Sequence, residues 1–189
     1  MTTHWIFFFF IVLLAIQRLA EVRLSRRNET RILSLGGREH AAGQFQVMKL
    51  LHAAWFVAML AEVFGLQRPF HPGLAIGAGI VFLVGQALRY AAIRTLGERW
   101  TVRVMTLPGT APVNHGIYRF LRHPNYLGVI LEVFAVPLIH SAYLTAIIFS
   151  LANALLLAWR IRTEEAALNE QNNYGQVFAE RPRFIPKRQ

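Results

Sequence analysis

The stretch LGVILEVFAVPLIHSAYLTAIIFSLANALLLAW, residues 127–159, determines the class of this protein. It carries one formal charge, on Glu132, and is too long for a single membrane-spanning helix of about 20 residues. Pro137, His140 and Ser141 near its middle favour a tight turn. The stretch is therefore predicted to form a hairpin of two helices inside a membrane.

Three further apolar stretches precede this hairpin. The first begins with WIFFFFIVLLAI at Trp5 and continues to Arg23, the second covers 45–66, and the third begins as 73–88 and extends to Arg94. A signal peptide is disfavoured for the first stretch, because no basic residue precedes it and no small-x-small cleavage site follows it. The sequence therefore predicts an all-α integral membrane protein with about five transmembrane helices, the fourth being the shortest.

The composition agrees with this class and excludes several others. Of the 189 residues, 54% are apolar and 16% are charged, so the chain is too apolar for a disordered basic tail or a histone-like protein. There is no cysteine, which excludes disulfides, a thiolate nucleophile and a cysteine-ligated zinc site. No metal site is expected. The formal net charge is nevertheless +10, and the positions of the basic residues explain why.

The basic residues lie almost entirely in alternate connections. Seventeen of the 20 fall between spans one and two, between spans three and four, or after span five. Only Arg68 lies between spans two and three, and Arg18 and Arg89 remain inside spans. By the positive-inside rule, this asymmetry predicts a cytoplasmic-membrane protein with its N-terminus outside and its C-terminus in the cytosol. Because the charges form no stripe interleaved with aromatic residues, nucleic-acid binding is not expected.

The segment GIYRFLRHPNYLGVILE, residues 116–132, marks the beginning of span four. Pro124 fits only the first turn of a helix, and it biases His123 towards an extended conformation. Arg122 and His123 are therefore placed just before the helix, at the cytosolic surface of the membrane.

Polar residues share one face of span four. Asn125, Gly128 and Glu132 lie at positions i, i+3 and i+7 of the helix. A charge inside a membrane is expensive, so this face is expected to point into the bundle or into a cavity, with Glu132 either paired or functional. Tyr126 and the two residues before the span have a second interpretation, as an interfacial belt that anchors the helix among lipid headgroups.

A second polar cluster follows span five. The segment RIRTEEAAL, residues 160–168, places Glu164 and Glu165 next to two arginines. It is either a solvated continuation of the helix or an extension that folds back over the beginning of span four, towards His123. The aromatic and basic residues of 174–186 would then form either a membrane-surface anchor or a lid.

Together, GIYRFLRHPNYLG, RTEEAAL and YGQVFAERPRFIP resemble the isoprenylcysteine carboxyl methyltransferase family. The resemblance covers residues 95–187, and R-H-P-x-Y-x-G followed by R-x-E-E beyond a hairpin is specific. It implies transfer of a methyl group from S-adenosyl-L-methionine to a lipidic acceptor at the cytosolic membrane face. It also implies two parts of the chain, with N-terminal membrane helices in 1–94 and a methyltransferase catalytic region in 95–189.

The resemblance also implies roles for individual residues. Arg122, Arg162 and Glu165 are expected to act in catalysis, and Glu132 is added to them because it is a carboxylate inside the membrane. The residues expected to enclose the cofactor are Tyr118, His123, Pro124, Tyr126, Gly128, Glu164 and Glu165. Tyr126 or Trp159 could stack on the adenine or contact the sulfonium.

The nature of the acceptor decides the chemistry that the site needs. A carboxylate acceptor is already nucleophilic and needs only an arginine to hold it, with Arg162 or Arg122 as candidates. A phenol or enol acceptor would need a general base, for which His123, Glu132 or Glu165 could serve. The combination of WTVRVMTLPG with the HGIYRFLRHPNYL segment resembles a bacterial branch associated with methylation of hydroxyl groups on long-chain alkylpyrones or alkylresorcinols.

A non-catalytic protein is the alternative. In a small transporter or scaffold, Glu62, Arg89 and Glu132 would form structural pairs or a proton path instead of a reactive site.

Overall fold

The fold is known from a computed structural model, which describes residues 1–184. Ile185 and Pro186 of the predicted tail lie outside the described residues, as do Lys187 and Arg188 of the basic residues counted above.

Five long helices form the body of the molecule. They are α1 (Thr2–Ser34), α2 (Ala42–Gly65), α3 (Pro72–Leu96), α4 (Pro124–Leu138) and α5 (Tyr143–Asn172). All except α4 are long and apolar enough to cross a membrane, and α4 is a shorter apolar helix of 15 residues. The predicted all-α integral membrane protein, in which the fourth helix is the shortest, is confirmed.

The predicted hairpin is formed by α4 and α5. Pro124 occupies the first turn of α4, where a missing backbone N–H is harmless. Pro137 lies in the last turn of α4, and its carbonyl accepts a hydrogen bond from Ala142 N at 2.9 Å across the turn. Ser141 completes that turn with a φ of 58°, so the reversal occurs where the sequence predicted it.

Short elements join the helices at one end of the bundle. Strand β1 (Arg38–His40) pairs antiparallel with β2 (Val104–Thr106), and α6 (Tyr174–Val177) follows α5. Sequence patterns did not predict these strands. Their pairing links the α1–α2 connection to the α3–α4 connection.

The same end collects the basic residues. Helices α1, α3 and α5 end here, whereas α2 and α4 begin here, and we call it the basic end. Asn28 Nδ2 of α1 donates to the carbonyl of Trp100 at 2.8 Å, and Gln44 Nε2 of α2 donates to Thr163 Oγ1 of α5 at 2.9 Å. These contacts bring together the three connections that the sequence analysis assigned to one side of the membrane.

Helices α3 and α4 pack with very little space between them. A Cβ added to Gly128 would lie 2.5 Å from Cγ of Arg89 and 2.7 Å from the carbonyl oxygen of Gly85. Small residues at such an interface allow two membrane helices to approach closely. The close approach also places Arg89 of α3 against the polar face of α4.

Candidate active site

A cavity of about 530 Å³ extends from the basic end into the membrane-spanning part of the bundle. Each of the five long helices contributes to its wall, for example through Arg18, Trp55, Arg89, Tyr126 and Arg160. Its volume is in the range of pockets that bind small organic ligands. One continuous space therefore reaches from the polar residues of the basic end into the inner part of the bundle.

His123 lies at the basic end of this cavity, immediately before α4. Its ring is buried, and Nε2 is 3.0 Å from Oε1 of Glu165. Glu165 also accepts two hydrogen bonds from Arg183, at 3.0 and 2.5 Å, and this pairing raises the pKa of the Arg183 guanidinium. Residues 160–168 therefore continue α5 as one helix and do not fold back, but this continuation contacts the residues that precede α4.

A second set of contacts joins α4 to α5. The Tyr126 hydroxyl donates to Oε2 of Glu164 and accepts a hydrogen bond from Nε of Arg160 at 2.8 Å. Arg160 also donates to the carbonyl of Val102 in the α3–α4 connection. We call Tyr126, Arg160 and Glu164 the polar trio, and all three line the cavity. The trio fixes a carboxylate and a phenol at the wall of a largely apolar space.

The chain after α6 is hydrogen-bonded to the segment that precedes α4. The backbone N–H groups of Arg122 and His123 donate to the carbonyls of Pro182 and Arg183, at 3.0 and 3.2 Å. Nε of Arg122 also donates to the carbonyl of Arg181 at 2.5 Å. The described part of the tail is thus attached to the segment that precedes α4, a contact that fits either a lid or a membrane-surface anchor.

Aromatic side chains line the space beneath this tail. Tyr174 and Phe178 are buried with ring centroids 4.5 Å apart, and Tyr118 lines the same part of the cavity. Burial, together with the charge of Glu164, raises the pKa of both tyrosine hydroxyls. Tyr118 and Tyr174 are therefore neutral phenols that can donate hydrogen bonds.

The residues predicted from the sequence fall into three groups. Those that line the cavity are Tyr118, Arg122, His123, Tyr126, Glu132 and Glu164. Pro124 and Gly128 are buried within the first turns of α4, and Glu165 supports His123. Arg162 and Trp159 are exposed on α5 and do not line the cavity.

Arg160 occupies the place that the sequence analysis gave to Arg162. It is buried at 3% exposure and contacts the cavity, whereas Arg162 lies two residues further along α5. Residues four apart share a helix face, so the pair Arg160 and Glu164 carried a signal that could have identified it.

The inner part of the cavity has an ionic wall, formed by Arg18, Glu21, Arg89 and Glu132. Arg18 donates to Glu21 at 2.5 Å and to Glu132 at 2.7 Å, and Arg89 donates to Glu21. Nε of Arg89 lies 3.4 Å from Oε1 of Glu132. Glu132 was expected to be either paired or functional. The structure shows that it is paired, with Arg18 of α1 and Arg89 of α3.

Known proteins share this arrangement of helices and motifs. The profile of the isoprenylcysteine carboxyl methyltransferase (ICMT) family matches residues 77–170. An uncharacterized protein of Bacillus subtilis, YpbQ, is 36% identical over 164 residues, which cover 87% of this chain and 97% of that protein. The chain belongs to the ICMT family.

Other relatives agree with this membership. An uncharacterized protein of Haemophilus influenzae is 29% identical over 85% of this chain and 92% of its own length. Protein-S-isoprenylcysteine O-methyltransferase A of Arabidopsis thaliana is 31% identical over 93 residues, 48% of this chain and 47% of that protein. The protein is thus a member of a family of membrane methyltransferases.

A solved structure shows the same fold. The eukaryotic intramembrane Ras methyltransferase ICMT superposes with a TM-score of 0.56 and 22% sequence identity. The match covers 78% of this chain and 53% of that one, so the present chain corresponds to about half of the eukaryotic ICMT protein.

Proposed function

We propose that this ICMT-family protein is an S-adenosyl-L-methionine-dependent O-methyltransferase that methylates a lipidic acceptor. One observation carries the proposal: a single cavity joins the polar trio at the basic end to the interior of the membrane-spanning bundle. A water-soluble methyl donor and a membrane-dissolved acceptor can meet only in a space with both kinds of surroundings.

The basic end has the chemistry to hold such a donor. S-adenosyl-L-methionine supplies a methyl group on a sulfonium, and it also carries an amino-acid group and an adenine ring. The Glu164 carboxylate can face its cationic groups, while Tyr118, Tyr174 and Phe178 offer aromatic faces for the ring or the sulfonium. Asn172 lines this part of the cavity too, and its buried Oδ1 accepts no hydrogen bond from residues 1–184.

The residues of the chain would act mainly by positioning and by excluding water. Arg160 and Tyr126 hold the Glu164 carboxylate in one orientation, and the His123–Glu165–Arg183 contacts hold the tail against the segment that precedes α4. Methyl transfer is an in-line displacement in which positive charge disappears, so alignment of the acceptor in a dry site supplies much of the acceleration. Arg122 would contribute through the tail, because its Nε already binds the carbonyl of Arg181.

The orientation in the membrane follows from the charges. We propose that the basic end faces the cytosol, since 17 of the 20 arginines and lysines fall in, or next to, the connections on one side, as the positive-inside rule requires. S-adenosyl-L-methionine then reaches the cavity from the cytosol, in which it is made.

Calorimetric titration of the purified protein with S-adenosylhomocysteine tests the donor site. We expect saturable binding by the wild type. Labelled S-adenosyl-L-methionine with a host lipid extract should then yield a labelled lipid in the organic phase. Absence of S-adenosylhomocysteine binding would contradict the proposed function and favour the transporter or scaffold alternative.

A further inference from the structure

Two histidines from distant parts of the chain meet at the end of the bundle opposite the basic end. His4 lies in the first turn of α1, and His140 lies in the turn between α4 and α5. Their ring centroids are 4.6 Å apart, and the two ring planes are inclined at 58°. We call His4 and His140 the histidine pair, and neither residue lines the cavity described above.

The histidine pair contains polar atoms that have no partner in the protein. Nδ1 and Nε2 of His4 and Nδ1 of His140 are buried, and none of these atoms has a hydrogen-bond partner within residues 1–184. A buried polar group without a partner costs about 1–3 kcal/mol. Three such atoms on two adjacent rings therefore indicate a ligand that binds to ring nitrogens.

Thr3 determines which nitrogen of His140 is available to a ligand. Nε2 of His140 lies 3.3 Å from Oγ1 of Thr3. A neutral imidazole has one N–H donor and one acceptor nitrogen, so a ring that donates from Nε2 to the Thr3 hydroxyl keeps the lone pair on Nδ1. Histidines that bind metal ions commonly have such a contact on the other ring nitrogen, because it fixes the tautomer and the orientation of the ring.

The separation of the two rings fits a shared metal ion. Bonds from zinc to histidine nitrogen are about 2.0–2.1 Å long and a ring centroid lies about 1.1 Å behind the nitrogen, so the ion would be about 3.2 Å from each centroid. For angles of about 90–110° between the two bonds, the centroids would be about 4.5–5.2 Å apart. The observed separation of 4.6 Å lies within this range. One ion can therefore join the rings at their present separation.

The surroundings of the histidine pair indicate which class of ion it would bind. Phe7, Phe64 and Phe70 contact the two rings, with centroid separations of 5.4–5.6 Å. Within residues 1–184, no group of three or more His, Cys, Asp or Glu side chains could hold a metal ion, so the pair would supply two ligands and water the others. Imidazole nitrogens suit zinc and copper, whereas magnesium and calcium prefer oxygen ligands. Water can reach the ion beside His4, which is only partly buried.

We propose that the histidine pair binds a late first-row transition-metal ion such as Zn²⁺, with one nitrogen supplied by each ring. Such an ion would join the beginning of α1 to the α4–α5 turn. The site is separate from the cavity, so the proposal does not depend on the proposed methyltransferase function. The sequence gave no reason to expect it, because the two histidines are far apart in the chain.

Titration of the full chain with Zn²⁺, in nanodiscs of zwitterionic lipid, tests the proposal. After treatment with a chelator, the wild type should bind one Zn²⁺ in calorimetry and should unfold at a higher temperature when Zn²⁺ is present. His4→Phe and His140→Phe keep an aromatic ring among the phenylalanines but remove the ring nitrogens. Each variant should bind Zn²⁺ at least 10-fold more weakly and should lose the Zn²⁺-dependent increase in the unfolding midpoint.

Further variants separate metal binding from a structural role. His71→Ala removes an exposed histidine at the same end, just before α3, and should bind Zn²⁺ as the wild type does. Thr3→Val should weaken Zn²⁺ binding about 10-fold, because Thr3 is a positioning residue for His140, whereas Thr3→Ser keeps the hydroxyl and should bind Zn²⁺ as the wild type does.

A measurement on the wild type alone keeps the test decisive if a phenylalanine variant does not fold. With one equivalent of Cu²⁺, the electron paramagnetic resonance spectrum should show coupling to two imidazole nitrogens. The proposal is overturned if this coupling is absent, if the wild type binds no Zn²⁺, or if both phenylalanine variants bind Zn²⁺ as tightly as the wild type. Equal weakening by His71→Ala would also overturn it, because the binding would then belong to exposed histidines.

Discussion

Glu62 and Glu132 are both buried carboxylates in the helical bundle, but their surroundings differ. Glu62 accepts five hydrogen bonds, from Nε and Nη2 of Arg68, the backbone N–H groups of Leu144 and Thr145, and the Thr145 hydroxyl. It therefore caps the beginning of α5, where a negative charge is favourable. Every lone pair that it directs into the protein has a donor.

Glu132 has fewer partners and borders a cavity. Its Oε2 accepts from Arg18, while its Oε1 makes no hydrogen bond within residues 1–184 and has only the longer ionic contact with Nε of Arg89, at 3.4 Å. Burial of a charged group in a membrane protein therefore does not by itself indicate a function. Saturation of its hydrogen bonds, and access to a cavity, separate a structural carboxylate from one that is available to a ligand.

The largest expected effect is on stability at Glu62. Glu62→Gln would place an amide N–H group next to the N–H and O–H groups that now donate to the carboxylate, and it would break the ion pair with Arg68. We expect the free energy of unfolding to decrease by about 3 kcal/mol. For a chain of this size that corresponds to a decrease of about 6–12 °C in the midpoint of thermal unfolding, measured in nanodiscs.

Glu132→Gln is the matched variant for that experiment. Arg18 and Arg89 keep Glu21 as a partner, so the midpoint should decrease less than in Glu62→Gln, whereas methylation of the lipid acceptor should be lost. The distinction between a structural Glu62 and a functional Glu132 would be contradicted by a larger decrease in the unfolding midpoint for Glu132→Gln than for Glu62→Gln. Full methylation activity of Glu132→Gln would contradict it too.

The next effect concerns Arg160 and its neighbour Arg162, of which only the first borders the cavity. Arg160→Ala removes two hydrogen bonds from a charged donor and should weaken S-adenosylhomocysteine binding about 100-fold, as measured by calorimetry. Arg162→Ala should leave binding unchanged, because its side chain is exposed.

Should Arg160→Ala fail to fold, Tyr126→Phe provides a milder test of the same contacts. It removes only the hydroxyl that Arg160 and Glu164 share and should weaken S-adenosylhomocysteine binding about 10-fold. Equal effects at positions 160 and 162 would show that the site depends on overall charge instead of on the polar trio.

Local sequence signals predicted the fold and part of the site. The apolar lengths determine the spans, and Pro124 marks the beginning of α4 because its ring fits only the first turn of a helix. The family resemblance placed the R-H-P and E-E motifs around one site, and the structure has His123 3.0 Å from Glu165. Each of these features depends on residues close together in the chain or on one specific motif.

Other features depend on how distant helices are rotated against each other. Arg18 and Glu132 are 114 positions apart, and nothing in either local sequence indicates that they pair. Strands β1 and β2 have three residues each, too few to show an alternating pattern. Arg162 was expected in the site because it belongs to the R-x-E-E motif. The helical period would have favoured Arg160, which lies four residues before Glu164 and therefore shares its face of α5.

A smaller effect is expected at the contact that brings Arg89 to Glu132. Gly128→Ala would place a methyl group 2.7 Å from the Gly85 carbonyl oxygen, which must push α3 and α4 apart. We expect a loss of about 1–3 kcal/mol, measured as a lower unfolding midpoint. Gly77→Ala is the control, because no heavy atom of the described residues lies within 4 Å of a Cβ at Gly77, apart from those of its chain neighbours and its own helical turn. A neutral Gly128→Ala would mean that the interface can yield and that the ionic wall does not depend on this spacing.

The smallest effect on ligand binding is expected at an arginine–glutamate pair that is exposed to water. Arg183 and Glu165 form an ion pair like that of Arg68 and Glu62, but the Arg183 side chain is 51% exposed and that of Arg68 is 25% exposed. Exposed pairs contribute about 0.2–1 kcal/mol, so Arg183→Ala should weaken S-adenosylhomocysteine binding only about 2- to 5-fold. The difference from the wild type should shrink as salt is added, because solvent ions screen an exposed pair more than a buried one. Arg162→Ala serves again as the exposed-arginine control. A loss of S-adenosylhomocysteine binding that is large and independent of salt would instead mean that water is excluded from the Arg183–Glu165 pair. Arg183 would then resemble Arg68 in the buried pair with Glu62.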